Sequence, residues 1–150
     1  MDLKVRRARL SDLEKLILFA FEEAKEAEGI EKVPATLRIG IETALNDENI
    51  ALYWVLVDES DEPVGNVSAL REWSNWNAGF YWWIQSMYIS PEYRGKGYLS
   101  QLLDAVKAEA QTQGGLELRL YVHEDNNRAV KAYRKSGFLE SKYKIMTQEL

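Results

Sequence analysis

The sequence predicts an α/β architecture, an α+β sandwich in which helices pack on a mixed central sheet. Three observations carry this. The 150 residues are 46% hydrophobic and 29% charged, the balance of a globular chain with a real core. Segments of helical and strand period alternate along the chain. In the second half, strands run directly into helices, as crossover connections do. No repeat and no Pro/Gly/Ser-rich linker interrupts the order, so one domain over residues 1–150 is expected.

The elements follow in turn. Leu3 to Ala8 reads as a short strand. Ser11 with Glu14 three residues on has the capping-box spacing. Behind it Leu13, Leu16, Ile17, Ala20, Phe21 and Ala24 recur at helical spacing until Gly29. A second helix is predicted from about Ala35 to Leu45, after Pro34. Asn49 to Val57 and Val64 to Trp73 are rich in aromatic and β-branched residues and read as strands. The polar turn Ser74 to Gly79 leads to a third strand, Phe80 to Ile89. Leu99, Leu102, Leu103, Val106 and Ala110 mark a helix that stops near Gly114 and Gly115. Leu116 to Val122 is a strand, Ala129 to Ser136 a helix closed by Gly137, and Tyr143 to Leu150 a last strand.

Composition removes several functions. Nineteen Lys and Arg stand against 24 Asp and Glu, a net charge of −5. A nucleic-acid binder needs a basic face to replace counterions, so no nucleic-acid partner is expected. There is no cysteine, hence no disulfide, no thiolate metal site and no cysteine nucleophile. The one histidine, His123, excludes a multi-histidine zinc site, and no metal is expected. The N-terminus carries charges where a signal peptide needs an apolar core. The apolar run Ile50 to Val57 is far too short to span a bilayer. A cytoplasmic protein without a membrane partner is expected. The acidic balance leaves room for a cationic substrate.

The segment Trp83 to Leu103 carries the chemistry. A strand runs into Pro91, then Arg94-Gly95-Lys96-Gly97, then an amphipathic helix. The first N–H groups of a helix lack internal partners, and its dipole favours negative charge there. Gly95 and Gly97 permit a tight turn and close approach. Arg94 and Lys96 add positive charge. A pyrophosphate fits such a site. Neither the Walker loop nor the three-glycine dinucleotide fingerprint is matched. Taken alone, the loop is equally compatible with a basic surface turn.

A second constellation decides between these. Leu120 to Phe138 contains Asn126, Ala129, Tyr133 and Gly137-Phe138 in fixed spacing. Together the two segments resemble the GNAT superfamily of acyl-CoA-dependent N-acetyltransferases. Arg94 and Gly97 match its acyl-CoA loop. Asn126 to Phe138 match its Asn-x-x-Ala-x-x-x-Tyr-x-x-x-Gly-Phe signature.

The resemblance implies a mixed sheet in which the strands Phe80–Ile89 and Leu116–Val122 splay apart around the pantetheine arm of acetyl-CoA. It assigns Met87, Tyr88 and Ile89 to backbone contacts. It assigns Arg94, Gly95, Lys96, Gly97, Tyr98 and Leu99 to the pyrophosphate. It gives Asn126 to the pantetheine or the splayed loop, and Tyr133 to the thioester sulfur as general acid. A backbone N–H near Ile89 would stabilise the oxyanion. Two positions depart from the family pattern. Leu99 stands where Gly or Ala is usual. Trp83 stands where members with a glutamate on this strand often carry it, and a tryptophan takes no proton.

The implied reaction is direct transfer of the acetyl group to a primary amine. A lysine-like amine costs about 4.6 kcal/mol to deprotonate at pH 7. The base is unassigned, with Glu72, His123 and a water chain as candidates. On the acceptor side stand the acidic run Phe21 to Glu31, with Glu26, and the tryptophans, with Trp76 in the turn and Trp83 on the strand. The run also fits a solvated helix face, and Trp76 a packed hairpin tip. The strand tryptophans are expected in the core. The expected acceptor is a small cationic amine. A protein N-terminus or lysine, and a non-catalytic acyl-CoA-binding module, are the alternatives. Members of the family are often dimers, so a homodimer is an open expectation.

Overall fold

The computed structural model describes residues 2–150. Five strands and four α-helices run in the order β1 (Lys4–Arg7), α1 (Leu13–Glu28), α2 (Pro34–Leu45), β2 (Leu52–Val57), β3 (Pro63–Ser74), β4 (Gly79–Ile89), α3 (Tyr98–Thr112), β5 (Glu117–Leu120) and α4 (Asn127–Lys135). The strands form one open sheet in chain order. β1 to β4 pair antiparallel, and β5 joins β4 in parallel after the α3 crossover.

The sheet is covered on both faces. Leu52, Trp54 and Leu56 of β2 point to the face under α3, where Leu102, Leu103 and Val106 pack. Val55 and Val57 point to the other face, under Leu16 and Phe19 of α1 and Ile41 of α2. Burial on both faces explains why β2 is a continuous apolar run rather than an alternating one. Trp82 in β4 is fully buried at the centre of the α3 layer.

β3 and β4 slip register between Ser68 and Ala69, so Gln85 is an extra residue in β4. β5 pairs only with Tyr81 to Ile84, the part of β4 before this bulge. The sheet therefore splits beyond Ile84. The split is the geometric origin of the site.

Four expectations are corrected. Tyr143 to Leu150 is no strand: residues 139–150 are all exposed and belong to no element. A strand needs a ladder partner, and among the described residues none pairs with this tail. β5 is shorter than Leu116 to Val122, because pairing with β4 ends at Leu120. Ser11 does not cap α1. A 3-10 turn, Leu10–Asp12, leads into the helix, and the buried Asp12 carboxylate accepts from the Arg9 N–H at 2.7 Å and from Arg6 Nη1 at 2.9 Å. Trp73 is exposed at the hairpin end, edge-on to Phe80 at 5.1 Å, because β3 and β4 outrun the layers that cover them. Among the described residues no helix is long and apolar enough to cross a membrane, and no group of three or more metal-ligating side chains is gathered.

Candidate active site

A cleft of about 650 Å³ opens along the half of β4 that β5 leaves. Glu23, Glu26 and Ala27 of α1 form one wall. Ala129, Ala132 and Tyr133 of α4 form the other, and the start of α3 closes one end. The cleft thus joins the two segments singled out in the sequence.

At the α3 end the backbone is shaped for an anion. Gly95 and Gly97 have φ of 75° and 87°, the left-handed region that side chains disfavour. A Cβ at either would meet nothing within 4 Å, so the reason for glycine is backbone conformation, and the space above is open. No side chain caps α3, whose first turn with Leu99 and Ser100 lines the cleft. Its leading N–H groups have no acceptor within the helix. Arg128 and Lys135 of α4 bring positive charge to the same cleft. These residues fit a pyrophosphate. Lys96 does not line the cleft; its ammonium lies 6.0 Å from the Tyr93 ring centroid.

Arg94 is a brace. Its Nε donates to the Ile89 carbonyl at 2.7 Å. Its Nη2 donates to both Glu26 carboxylate oxygens, at 2.8 and 3.1 Å. Its guanidinium also stacks 5.2 Å from the Tyr88 ring centroid. Loop, strand and α1 are held together by one side chain, and Glu26 is half committed to it.

At the other end stands Glu23. Its carboxylate accepts from the Met87 backbone N–H at 2.9 Å. Burial pushes its pKa up to about 7; the Met87 bond opposes this, and Glu26 and Glu28 add to it. Tyr133 faces the same space. Burial, with a smaller push from Glu23, raises its phenol to about 12. Tyr133 packs edge-on to Phe138 at 5.8 Å, and the Phe138 N–H returns to the Tyr133 carbonyl at 3.0 Å. Asn126 caps α4, its Oδ1 accepting from the Ala129 N–H at 3.2 Å. The Asn-x-x-Ala spacing is thus a helix cap, and the Tyr-x-x-x-Gly-Phe spacing a helix stop that holds the tyrosine ring.

Met87, Tyr88, Ile89, Arg94, Gly95, Gly97, Tyr98, Leu99, Asn126, Glu26 and Tyr133 all line the cleft. Glu72, His123, Trp76 and Trp83 do not. Glu72 accepts from Trp83 Nε1 at 3.4 Å, and Trp83 stacks on Tyr121 at 4.6 Å. His123 sits in an exposed turn and accepts from the Asp125 N–H. Trp76 is 84% exposed at the hairpin tip. Sequence reasoning missed Glu23, Arg128 and Lys135 as individuals. Glu23 had a readable signal: it continues the buried stripe Leu16–Phe19 by one turn, where an apolar residue belongs.

A sequence model of the acetyltransferase (GNAT) family matches residues 11–138. Among solved structures, a possible acetyltransferase from Clostridium difficile 630 is 32% identical, with a TM-score of 0.91 over 99% of this chain and 97% of that one. An aminoglycoside acetyltransferase from an uncultured soil metagenomic sample, in complex with trehalose, shares the fold at 18% identity, TM-score 0.79, over 99% and 96%. So does a ribosomal-protein-alanine N-acetyltransferase from Brucella melitensis biovar Abortus 2308, at 15% identity, TM-score 0.78, over 99% and 100%. No curated protein gives a significant match. The chain therefore belongs to the GNAT family, and it is an acyltransferase of the kind that uses acetyl-CoA as co-substrate.

Proposed function

We infer that the chain acetylates the primary amine of a small cationic molecule, with Glu23 as general base and Tyr133 as general acid. The observation that carries this is the single cleft with an uncapped helix start at one end and a half-buried carboxylate and a half-buried phenol on its two walls at the other. The base is Glu23 rather than Glu72 or His123, because it alone of the three lines that cleft. Acetyl-CoA, when bound, supplies an activated acyl group and a thiolate leaving group. The α3 N–H groups, Arg128 and Lys135 hold its phosphates, and Met87 to Ile89 present backbone to its arm.

Glu23 does the first job. With a pKa of about 7 it is substantially ionised at neutral pH, and it accepts a proton from the attacking nitrogen. As it is neutralised, its hold on the Met87 N–H weakens. That donor then serves the carbonyl oxygen that gains charge, worth about 3–4 kcal/mol. Tyr133 does the last job. A phenol of pKa about 12 keeps its proton at neutral pH and gives it, or a strong hydrogen bond, to the departing sulfur.

Acidic residues of α1 support a cationic acceptor. Glu22, Glu23, Glu26 and Glu28 lie within two turns, in a chain of net charge −5. The fold shared with an aminoglycoside acetyltransferase agrees with this but does not choose it. The test is release of free CoA thiol from acetyl-CoA against polyamines, aminoglycosides, amino acids and short peptides. The cysteine-free chain adds no thiol background. Turnover with polyamines or aminoglycosides is expected; turnover with peptides alone would overturn the small-amine reading.

A further inference from the structure

The bulge in β4 does more than open the sheet. Trp82 and Ile84 point to the α3 face, and strict alternation would send residue 86 there too. The extra residue Gln85 reverses this: Met87 packs on the α3 side, and Ser86 shares the α1 side with Tyr88. The α1 side is otherwise apolar, with Leu16, Phe19, Val55, Val57 and Tyr88 packed there. A small polar group interrupts it. Ser86 pairs in register with Ser68 of β3, and their hydroxyl oxygens lie 2.6 Å apart. Asn66 Nδ2 donates to the Ser86 hydroxyl from the diagonal position at 3.3 Å. Ser68 is fully buried, and Asn66 is 3% exposed. The Asn66 Oδ1 atom is buried and has no hydrogen-bond partner among the described residues.

Apolar side chains would fill that face without leaving an amide oxygen unsatisfied, so stability alone does not account for these polar ones. What Ser68 and Asn66 have in common is the Ser86 hydroxyl. Ser86 begins the peptide whose N–H is the Met87 donor, which reaches the Glu23 carboxylate at 2.9 Å. That peptide lies just past the bulge, where β5 no longer pairs and β3 alone holds the strand. A bulge disrupts the local ladder, and a strand paired on one side is freer to shift. The side-chain bonds from Ser68 and Asn66 restore a second hold at that point.

We propose that Ser86 is a positioning residue: gripped by Ser68 and Asn66, it fixes the Ser86–Met87 peptide so that its N–H stays aimed at Glu23 and, once that carboxylate is neutralised, at the carbonyl oxygen of the thioester. The second half of this role rests on the reaction proposed above; the first half is a property of the chain without substrates. The Met87 bond favours the ionised carboxylate and so lowers the Glu23 pKa against burial. Loosening the peptide therefore raises that pKa. Glu26 and Glu28 of α1 also push it up, Tyr53 of β2 and Tyr133 of α4 sense its charge, and Arg94, Arg128 and Lys135 line the same cleft. Ser86 and Ser68 carry no charge, so replacing them leaves all of these groups in place.

Carboxyl-carbon NMR of the full chain, labelled in its glutamates and free of substrates, tests the first half. The Glu23 signal is identified by its loss in Glu23→Gln. The parent midpoint is expected near 7. In Ser86→Ala and in Ser68→Ala it is expected to rise by about half a unit or more. Ser86→Thr keeps the hydroxyl and is expected to return it to the parent value. Ser68→Ala leaves β4 itself unaltered, so it decides the matter if Ser86→Ala does not fold. An unchanged midpoint in the folded alanine variants overturns the proposal. Initial rates test the second half. The alanine variants are expected to lose about tenfold in kcat, with KM for acetyl-CoA and for the amine within about twofold of the parent. A raised midpoint with kcat unchanged overturns the part played at the carbonyl oxygen. The two readings fail separately: if Glu23→Gln keeps the parent kcat, Glu23 is not the base, and the midpoints still decide whether Ser86 holds the Met87 N–H.

Discussion

Strand β4 has two halves with different neighbours. From Tyr81 to Ile84 it is paired on both sides, by β3 and β5, and Trp82 there is fully buried. From Ser86 to Ile89 it keeps β3 alone, and its Met87 N–H goes to the Glu23 carboxylate. The backbone chemistry of the two halves is the same. What differs is who satisfies it. Where a strand satisfies the backbone, the residues serve stability. Where a strand is withheld, the donors and acceptors are left for a carboxylate, an arginine brace and a ligand. One bulge separates structure from site.

Substitutions in the two halves should therefore fail in different ways. The largest effect is expected from Trp82→Ala in the paired half, about 3–5 kcal/mol of stability with the pH dependence of any remaining activity unchanged. Denaturant unfolding with a parallel rate profile checks it, and a shifted profile would break the comparison. Glu23→Gln in the withheld half should lower kcat by about 10²- to 10³-fold. In the parent chain kcat/KM should rise with pH through about 7 as Glu23 ionises, and the variant should lose that limb. Stability carries a second signature. The folded pKa of about 7 lies above the ordinary 4.5, so the folded chain binds the extra proton. The contribution is full below 4.5 and is lost as pH rises through 7, at most about 3 kcal/mol. Glu23→Gln should abolish this fall, measured by melts between pH 4.5 and 8. Tyr133→Phe should cost about 10² in kcat and little stability, since the ring still packs on Phe138. An unchanged kcat would remove Tyr133 from the reaction.

The same division explains what the sequence discloses. Helices α1 to α3 and strands β2 to β4 are legible because hydrophobic period reports burial, and each has a buried face; α4 buries no residue and is read from its Asn126 cap and the Gly137 stop. The anion loop is legible because Gly95 and Gly97 are placed for a backbone reason that few residues satisfy. The tail, 143–150, has the composition of a strand and no ladder partner among the described residues; period cannot say what pairs with what. Glu23 hides in an acidic run because Glu22, Glu26 and Glu28 look the same in sequence; the Met87 N–H on its carboxylate and its burial single it out. Glu72 pairs with Tyr81 at the hairpin end of β3, away from the split, and His123 lies beyond the end of β5 with its imidazole accepting from the Asp125 N–H; spacing reports neither placement.

The smallest expected effect sits at the anion end and separates it from the chemical end. Gly97 holds φ at 87° with open space where a Cβ would go. Gly97→Ala therefore makes no clash with a neighbour. Its cost is the left-handed conformation itself, about 1–2 kcal/mol. The variant can relieve that cost by relaxing the turn, which moves the first N–H groups of α3 off the pyrophosphate position. The expected outcome is a KM for acetyl-CoA raised by about tenfold, with kcat and the limb near pH 7 retained, because Glu23 and Tyr133 lie at the other end of the cleft. Initial rates over a range of acetyl-CoA at saturating amine would measure it. A loss in kcat without a change in KM would mean that the α3 start acts on the chemical step, and the two ends of the cleft would have to be treated as one.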